Sequence, residues 1–168
     1  MDGWTDLRDR GESNIAVGSV PFVGVSKRGL ELTVIFTTLP GTAAALTMAG
    51  NLTRNLEAKL TLLLPQVVPY GVPLNRPPVS LRHTRQLALS LVGRSAKGSE
   101  DGNLPGVVIQ ICLCRERKQC LERFVSAGSL VLIGGRDSWW AKERRLARLL
   151  RSLGHEVIFA DPREKNDA

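Results

Sequence analysis

The sequence predicts a doubly wound α/β domain, Rossmann-like, with a five-stranded parallel sheet and helices on both of its faces. Two observations carry that expectation. From residue 30 onward, short β-branched runs alternate with longer amphipathic stretches, which is the pattern of βα units. One of the runs, 107–113, is apolar at almost every position, as strands covered on both faces are. Crossovers between parallel strands are almost always right-handed, so five strands alternating with four helices leave two strand orders open, 3-2-1-4-5 and 2-1-3-4-5.

The first expected strand is 31–37, centred on Val34, Ile35 and Phe36, and it ends in the loop Thr38-Leu39-Pro40-Gly41. Thr42 is placed to cap the helix behind it. Ala45, Ala49, Leu52 and Leu56 then recur at helical spacing, a stripe whose small residues allow close approach to the sheet. The second strand is 60–68, and its exit, 69–78, holds four prolines and must be extended. Leu81, Thr84, Ala88 and Leu91 mark the second helix, and a Gly- and Ser-containing loop, 93–106, leads to the strand at 107–113. The third helix is 117–125, with Cys120, Leu121 and Phe124 inward, and the fourth strand is 130–133, stopped by Gly134-Gly135. The last helix, about 139–153, puts Leu146, Leu149, Leu150 and Leu153 on one face. Gly154 caps its end before the fifth strand, 156–160. Residues 1–28 read as an N-terminal extension, in which 15–25 can add a short strand or an arm, and 29–168 as the folded domain.

A chain of 168 residues with 43% hydrophobic content suits one domain whose core needs no disulfide staple. The longest apolar run, 60–68, is interrupted by Pro65 and Gln66 and falls short of the roughly 20 residues that a membrane span requires. Asp2, Asp6, Asp9 and Glu12 stand where a secretory signal would carry basic and then apolar residues. A cytoplasmic protein without membrane contact is the expectation.

The formal charge is +7, and residues 1–28 contribute nothing net to it, because Arg8, Arg10, Lys27 and Arg28 balance those four acids. The excess concentrates at 136–151, where Arg136, Lys142, Arg144, Arg145, Arg148 and Arg151 face only Asp137 and Glu143. Its helical period reads first as a solvated outer face. Nucleic-acid contact through Lys142, Arg145 and Arg148 is the sharper and less favoured alternative.

The apolar first strand with an Ala-rich helix behind it, the segment Leu60-Thr61-Leu62-Leu63-Leu64-Pro65-Gln66-Val67-Val68-Pro69 and the run Leu-Val-Leu-Ile-Gly-Gly at 130–135 together resemble the universal stress protein family, over about residues 30–161. The resemblance implies the strand order 3-2-1-4-5, a role in stress response and a homodimer, which in that family commonly pairs through the last strand. It also brings ATP, or another nucleotide, into question as a ligand. ATP-binding members carry an Asp followed by Gly-Ser after the first strand, where this chain has Thr37-Thr38-Leu39. They carry spaced glycines and a later Gly-Ser or Gly-Thr pair after the fourth strand, whereas here Gly134 and Gly135 are adjacent and 136–148 holds no glycine. The expectation is a weakened or altered nucleotide site in a domain that is not an enzyme and acts through homodimerisation or partner binding.

For the order 3-2-1-4-5, ligands bind beyond the carboxyl ends of strands one and four. Thr37, Thr38, Gly41 and Thr42 then face Gly134, Gly135, Arg136, Asp137 and Ser138. Backbone N–H groups at a helix start and a nearby arginine favour a phosphate. The plainer reading is that the glycines turn the chain while Asp137 or Ser138 caps the last helix. Cys112, Cys114 and Cys120 raise the question of a metal. Their spacing gives no CxxC pair and no adjacent histidine, so the expectation is packing of buried thiols, with Cys112 and Cys114 on one strand face. His83 and His155 have no evident catalytic partners, and His155 reads as a surface turn residue. Of the adjacent Trp139 and Trp140, at least one is expected to be partly exposed, since two neighbours cannot both face one core.

Overall fold

The computed structural model describes residues 15–20, 30–54, 56, 58–98, 106–135 and 142–162. In chain order its elements are β1 (Ile15–Val20), β2 (Glu31–Ile35), α1 (Leu39–Thr53), β3 (Lys59–Val67), α2 (Leu81–Gly98), β4 (Val107–Cys114), α3 (Arg117–Phe124), β5 (Leu130–Gly134), α4 (Lys142–Ser152) and β6 (Glu156–Ala160). The sheet runs β1-β4-β3-β2-β5-β6. The five strands expected from the sequence are β2 to β6. They are parallel throughout and take the order 3-2-1-4-5, with β1 added antiparallel along the outer edge of β4.

The central strand explains why the sheet is double-sided. Val34 of β2 pairs with Leu62 on one side and Leu132 on the other. Alternate residues of the same strands serve two separate cores. Leu32, Val34, Leu62 and Ile109 face α1 and α2 through Ala45, Leu46, Ala49, Ala88 and Leu91. Ile35, Leu63, Cys112 and Ile133 face α3 and α4 through Cys120, Leu121, Leu146 and Leu150. Two helices therefore cover each face, and burying each large aliphatic side chain contributes roughly 1.5–3 kcal/mol against the entropy of ordering the chain.

Pro65 sits inside β3 without breaking it. Phe36 donates to the carbonyl of Leu63, so residue 63 points toward β2, and by alternation residue 65 does too. The β2 pairing stops at Ile35↔Leu63, so the missing N–H of Pro65 falls where the ladder with β2 ends and interrupts no bond within it. Beyond β3 the connection 68–80 is held down rather than loose. Arg115 Nη1 donates to the carbonyls of Val68 (3.1 Å), Pro69 and Val72 (2.9 Å), while Gln66 Nε2 donates to the carbonyl of Val79 (2.7 Å).

Several local expectations need correction. The cap of α1 is Thr38, with extended φ −126 and ψ 161, and not Thr42; Pro40 fits the first turn, where its missing N–H is harmless, so the helix starts earlier. α1 ends at Thr53, whose hydroxyl turns back onto the carbonyl of Ala49 at 2.8 Å. Leu52 and Leu56 are consequently exposed, and the buried stripe is Gly41, Thr42, Ala45, Leu46, Ala49, Gly50 and Thr53. α2 runs through Gly93 to Gly98, where a loop was expected, because a glycine in open space on a helix costs only about 1 kcal/mol. His155 is buried and not a surface turn residue. Gly154, at φ +87, donates to Arg151 and His155 donates to Leu150, the paired bonds of a Schellman turn, which folds His155 inward at the end of α4. Among the described residues no helix is long and apolar enough to cross a membrane.

Candidate functional site

The strand order reverses between β2 and β5, where α1 leaves toward one face and α4 packs on the other. Of the candidate residues at that edge, the structure brings together Thr37, Thr38, Gly41, Thr42, Gly134 and Gly135. Arg136 and Ser138, together with Asp137, Trp139 and Trp140, lie outside the described residues.

What the six residues do is largely internal. Thr37 Oγ1 donates to the carbonyl of Gly134 at 2.7 Å, and the Thr37 N–H donates to Thr42 Oγ1 at 3.2 Å. Thr38 Oγ1 accepts from the Gly41 N–H at 3.2 Å, and the Thr42 N–H donates to the Thr38 carbonyl at 2.8 Å. In the first turn of α1, Gly41 and Thr42 have thus given their N–H groups to Thr38, and Pro40 has none to give. Two of the donors that make a helix start attractive to an anion are thus engaged, and a third position has none.

The two glycines meet backbone to backbone. A Cβ on Gly41 would lie 2.6 Å from the Gly134 carbonyl oxygen, and one on Gly134 would overlap the carbonyl of Gly41. Only residues without side chains allow α1 to seat against the end of β5 this closely. Gly135 continues the ladder, donating to Ala160 at 3.0 Å, with φ +150. The Glu143 side chain covers it: a Cβ there would stand 2.6 Å from Glu143 Cγ and 3.1 Å from Cδ. A carboxylate over this glycine opposes a phosphate by simple charge repulsion.

A second cluster lies on the opposite half of the sheet. Cys112 and Cys114 share one face of β4, as their alternation requires, and Cys120 descends onto them from α3. All three side chains are fully buried and unoxidised, and their Sγ atoms lie within 4.8 Å of one another. Their acid–base behaviour is shared. Hydrogen bonds from Cys112 and Cys120, aided by the positive charge of Arg117, hold Cys114 far below its ordinary 9.0, at about 4, against the opposing effect of burial. Hydrogen bonding with Cys114 and then with Cys120, together with burial, pushes Cys112 strongly up. For Cys120, hydrogen bonding with Cys112 works downward, but the bond with Cys114, burial and the charge of Cys114 outweigh it and push the thiol up to about 12.

The sequence signalled half of this arrangement, the shared face of Cys112 and Cys114. The missing half was the path of α3, which begins only two residues after β4 and folds straight back over the strand it has just left. Arg115, which ties down the 68–72 turn, was likewise unmarked, since its acceptors are backbone carbonyls that no residue type announces. His83 is exposed near the start of α2, where its N–H donates to Ser80 Oγ at 3.2 Å. No protein-family model matches the chain, and no curated protein is similar to it. What the structure places on record is a Rossmann-like α/β fold, five parallel strands in the order 3-2-1-4-5 alternating with four helices.

Proposed function

We propose that this is a non-catalytic, universal-stress-protein-like domain that acts by association, as a homodimer or with a partner protein, and that its nucleotide site is weakened or altered, to the point of being closed. The observation that supports the reading is the Gly41–Gly134 contact, which brings the start of α1 directly onto the end of β5 at the edge where a nucleotide's phosphates would enter. Glu143 over Gly135 adds a charge of the wrong sign for that ligand. Kinship with universal stress proteins, and with it a part in stress response, rests on the sequence resemblance together with the shared strand order.

The edge available for a second copy is β6. Gly135 donates to the Ala160 carbonyl, so by alternation the carbonyls of Val157 and Phe159 point outward. Arg151 already reaches one of them, donating to Val157 at 3.4 Å, and its guanidinium lies 6.0 Å from the Phe159 ring centroid. Such a charge on an edge strand tempers pairing and keeps it reversible.

Calorimetry with ATP, AMP and a cyclic nucleotide, paired with sedimentation at high micromolar protein, tests the reading. Expected are no heat with any nucleotide and a concentration-dependent dimer. Saturable nucleotide binding would replace the reading with the runner-up, a nucleotide-binding protein. A protein that stays monomeric removes the homodimer. A second reading, nucleic-acid contact, draws on the exposed Lys142, Arg145 and Arg148 of α4. It requires binding that weakens steeply with salt as counterions are released, and absence of binding at low salt disposes of it.

A further inference from the structure

Three soft ligands converge in one fully buried place from two consecutive elements. Cys112 and Cys114 come from the carboxyl end of β4 and Cys120 from the middle of α3, all three fully buried, with their Sγ atoms within 4.8 Å of one another. Thiolate bonds to a d10 ion such as zinc are about 2.3 Å long, and a trigonal site of such bonds sets its sulfurs about 4.0 Å apart. The present spacing needs to close by less than an ångström. The thiol contacts given up in closing are weak, Cys112 to the Leu113 carbonyl at 4.0 Å and Cys114 to the Gln66 carbonyl at 3.9 Å.

The donor set selects the ion. Among the described residues no His, Asp or Glu joins the group. All-sulfur ligation excludes the oxygen-seeking cations magnesium and calcium. Three protein ligands in a dry core favour an ion content with three over one that needs a fourth. Three thiolates around a divalent ion leave one net negative charge, and Arg117, whose positive charge acts on Cys114 and Cys120, stands at the start of α3 to offset it.

We propose that Cys112, Cys114 and Cys120 form a three-thiolate site for a thiophilic divalent d10 ion, one that clamps α3 to the end of β4 when it binds. Each sulfur binds as a thiolate: any proton still on a sulfur leaves to solvent, the ion exchanges bound waters for three metal–sulfur bonds, and no electrons are transferred.

The test uses the full chain, reduced and metal-free, titrated anaerobically with Cd(II) while the thiolate-to-metal charge-transfer absorbance and the Tm are followed. Expected are saturation at one ion per chain, a raised Tm, and no response to Mg(II). Cys112→Ser, Cys114→Ser and Cys120→Ser should each weaken Cd(II) by more than about 100-fold, beyond what loss of an outer-sphere partner costs. Because a serine hydroxyl in this core risks unfolding, each Cys→Ala variant is run beside it, with circular dichroism to verify the fold. A folded wild-type protein without a charge-transfer band overturns the proposal, as does a band that survives at full strength in any one folded variant.

Discussion

The Gly134 backbone packs directly on that of Gly41, with the Thr37 hydroxyl donating to the Gly134 carbonyl beside the contact. Helix α1 is thereby seated on the end of β5 with no side chain between them. Gly134→Ala should cost at least about 3 kcal/mol, the upper end for overpacking, because the added methyl meets backbone that cannot rotate aside. Gly41→Ala, whose methyl would meet the Gly134 carbonyl at 2.6 Å, should also destabilise, and by less. Urea unfolding checks both; a loss below about 1 kcal/mol for Gly134→Ala would mean that α1 sits further from the sheet.

Gly135 presents a milder conflict. Its φ of +150 disfavours any L side chain, and a methyl there would press on Glu143 Cγ, the flexible part of a side chain. Gly135→Ala should cost roughly 1 kcal/mol or more, and combining it with Glu143→Ala should recover the steric share and leave the backbone share. Thermal melts of the single and double variants read the difference. If the methyl weakened nucleotide binding in fully folded protein, the glycine would be a phosphate contact and the closed-site reading would fail.

Removing the Arg115 guanidinium takes a donor from the carbonyls of Val68, Pro69 and Val72 together, leaving Pro69 with its bond from the Val72 N–H. Arg115→Ala should cost roughly 1.5–3 kcal/mol, the range for a hydrogen bond to a charged group. It should also speed amide exchange in the turn 68–72 more than in β3. Uniform protection across both segments would show that the turn is held by something else.

Cys114 gives stability a particular dependence on pH in the metal-free protein. Its folded pKa is depressed, so between about 4 and its ordinary 9.0 the unfolded chain binds the proton that the folded chain releases, and its contribution rises with pH over that window. Above it, Cys112 and Cys120, whose pKa values are raised, keep their protons when folded, and their contribution falls as pH climbs toward 12. The stability difference between wild type and Cys114→Ser, from urea unfolding across this range, should increase from acid toward pH 9. A flat difference would place no thiolate at Cys114.

Arg151 guards the outward carbonyl of Val157. If two copies join through β6, Arg151→Ala uncovers that acceptor and should tighten the dimer several-fold in sedimentation equilibrium. Unchanged or weaker association would move the interface away from β6.

The alternation of strands and helices was legible because β2, β4 and β5 are apolar on both faces and leave no other fold class open. The strand order was not readable from pattern alone; it depends on which face each helix takes, which follows from contacts such as Leu46 with one core and Leu150 with the other. At the reversal, the sequence placed Thr37, Thr38, Gly41, Thr42, Gly134 and Gly135 together. It could not tell whether their polar groups faced a ligand or one another, because Thr38 and Thr42 are equally good caps until the position of Pro40 decides between them. The thiol cluster escaped for a geometric reason: ligand-spacing rules describe one loop or one helix, and Cys120 reaches its partners across a strand-to-helix return.

The pairing of β1 with β4, Ile15 opposite Cys114, also sets an order of events during synthesis. The segment 15–20 leaves the ribosome before any part of the parallel sheet exists, and its partner strand follows only after β2 and β3. Until then β1 has no partner, and closing the long loop between the two strands carries an entropy cost that nearest-neighbour pairings avoid. Of the described strands the first to be made thus waits through β2 and β3 for its partner, and a nascent chain carries unpaired strand edges, an opening for chaperones or for misassembly, until 107–114 are in place.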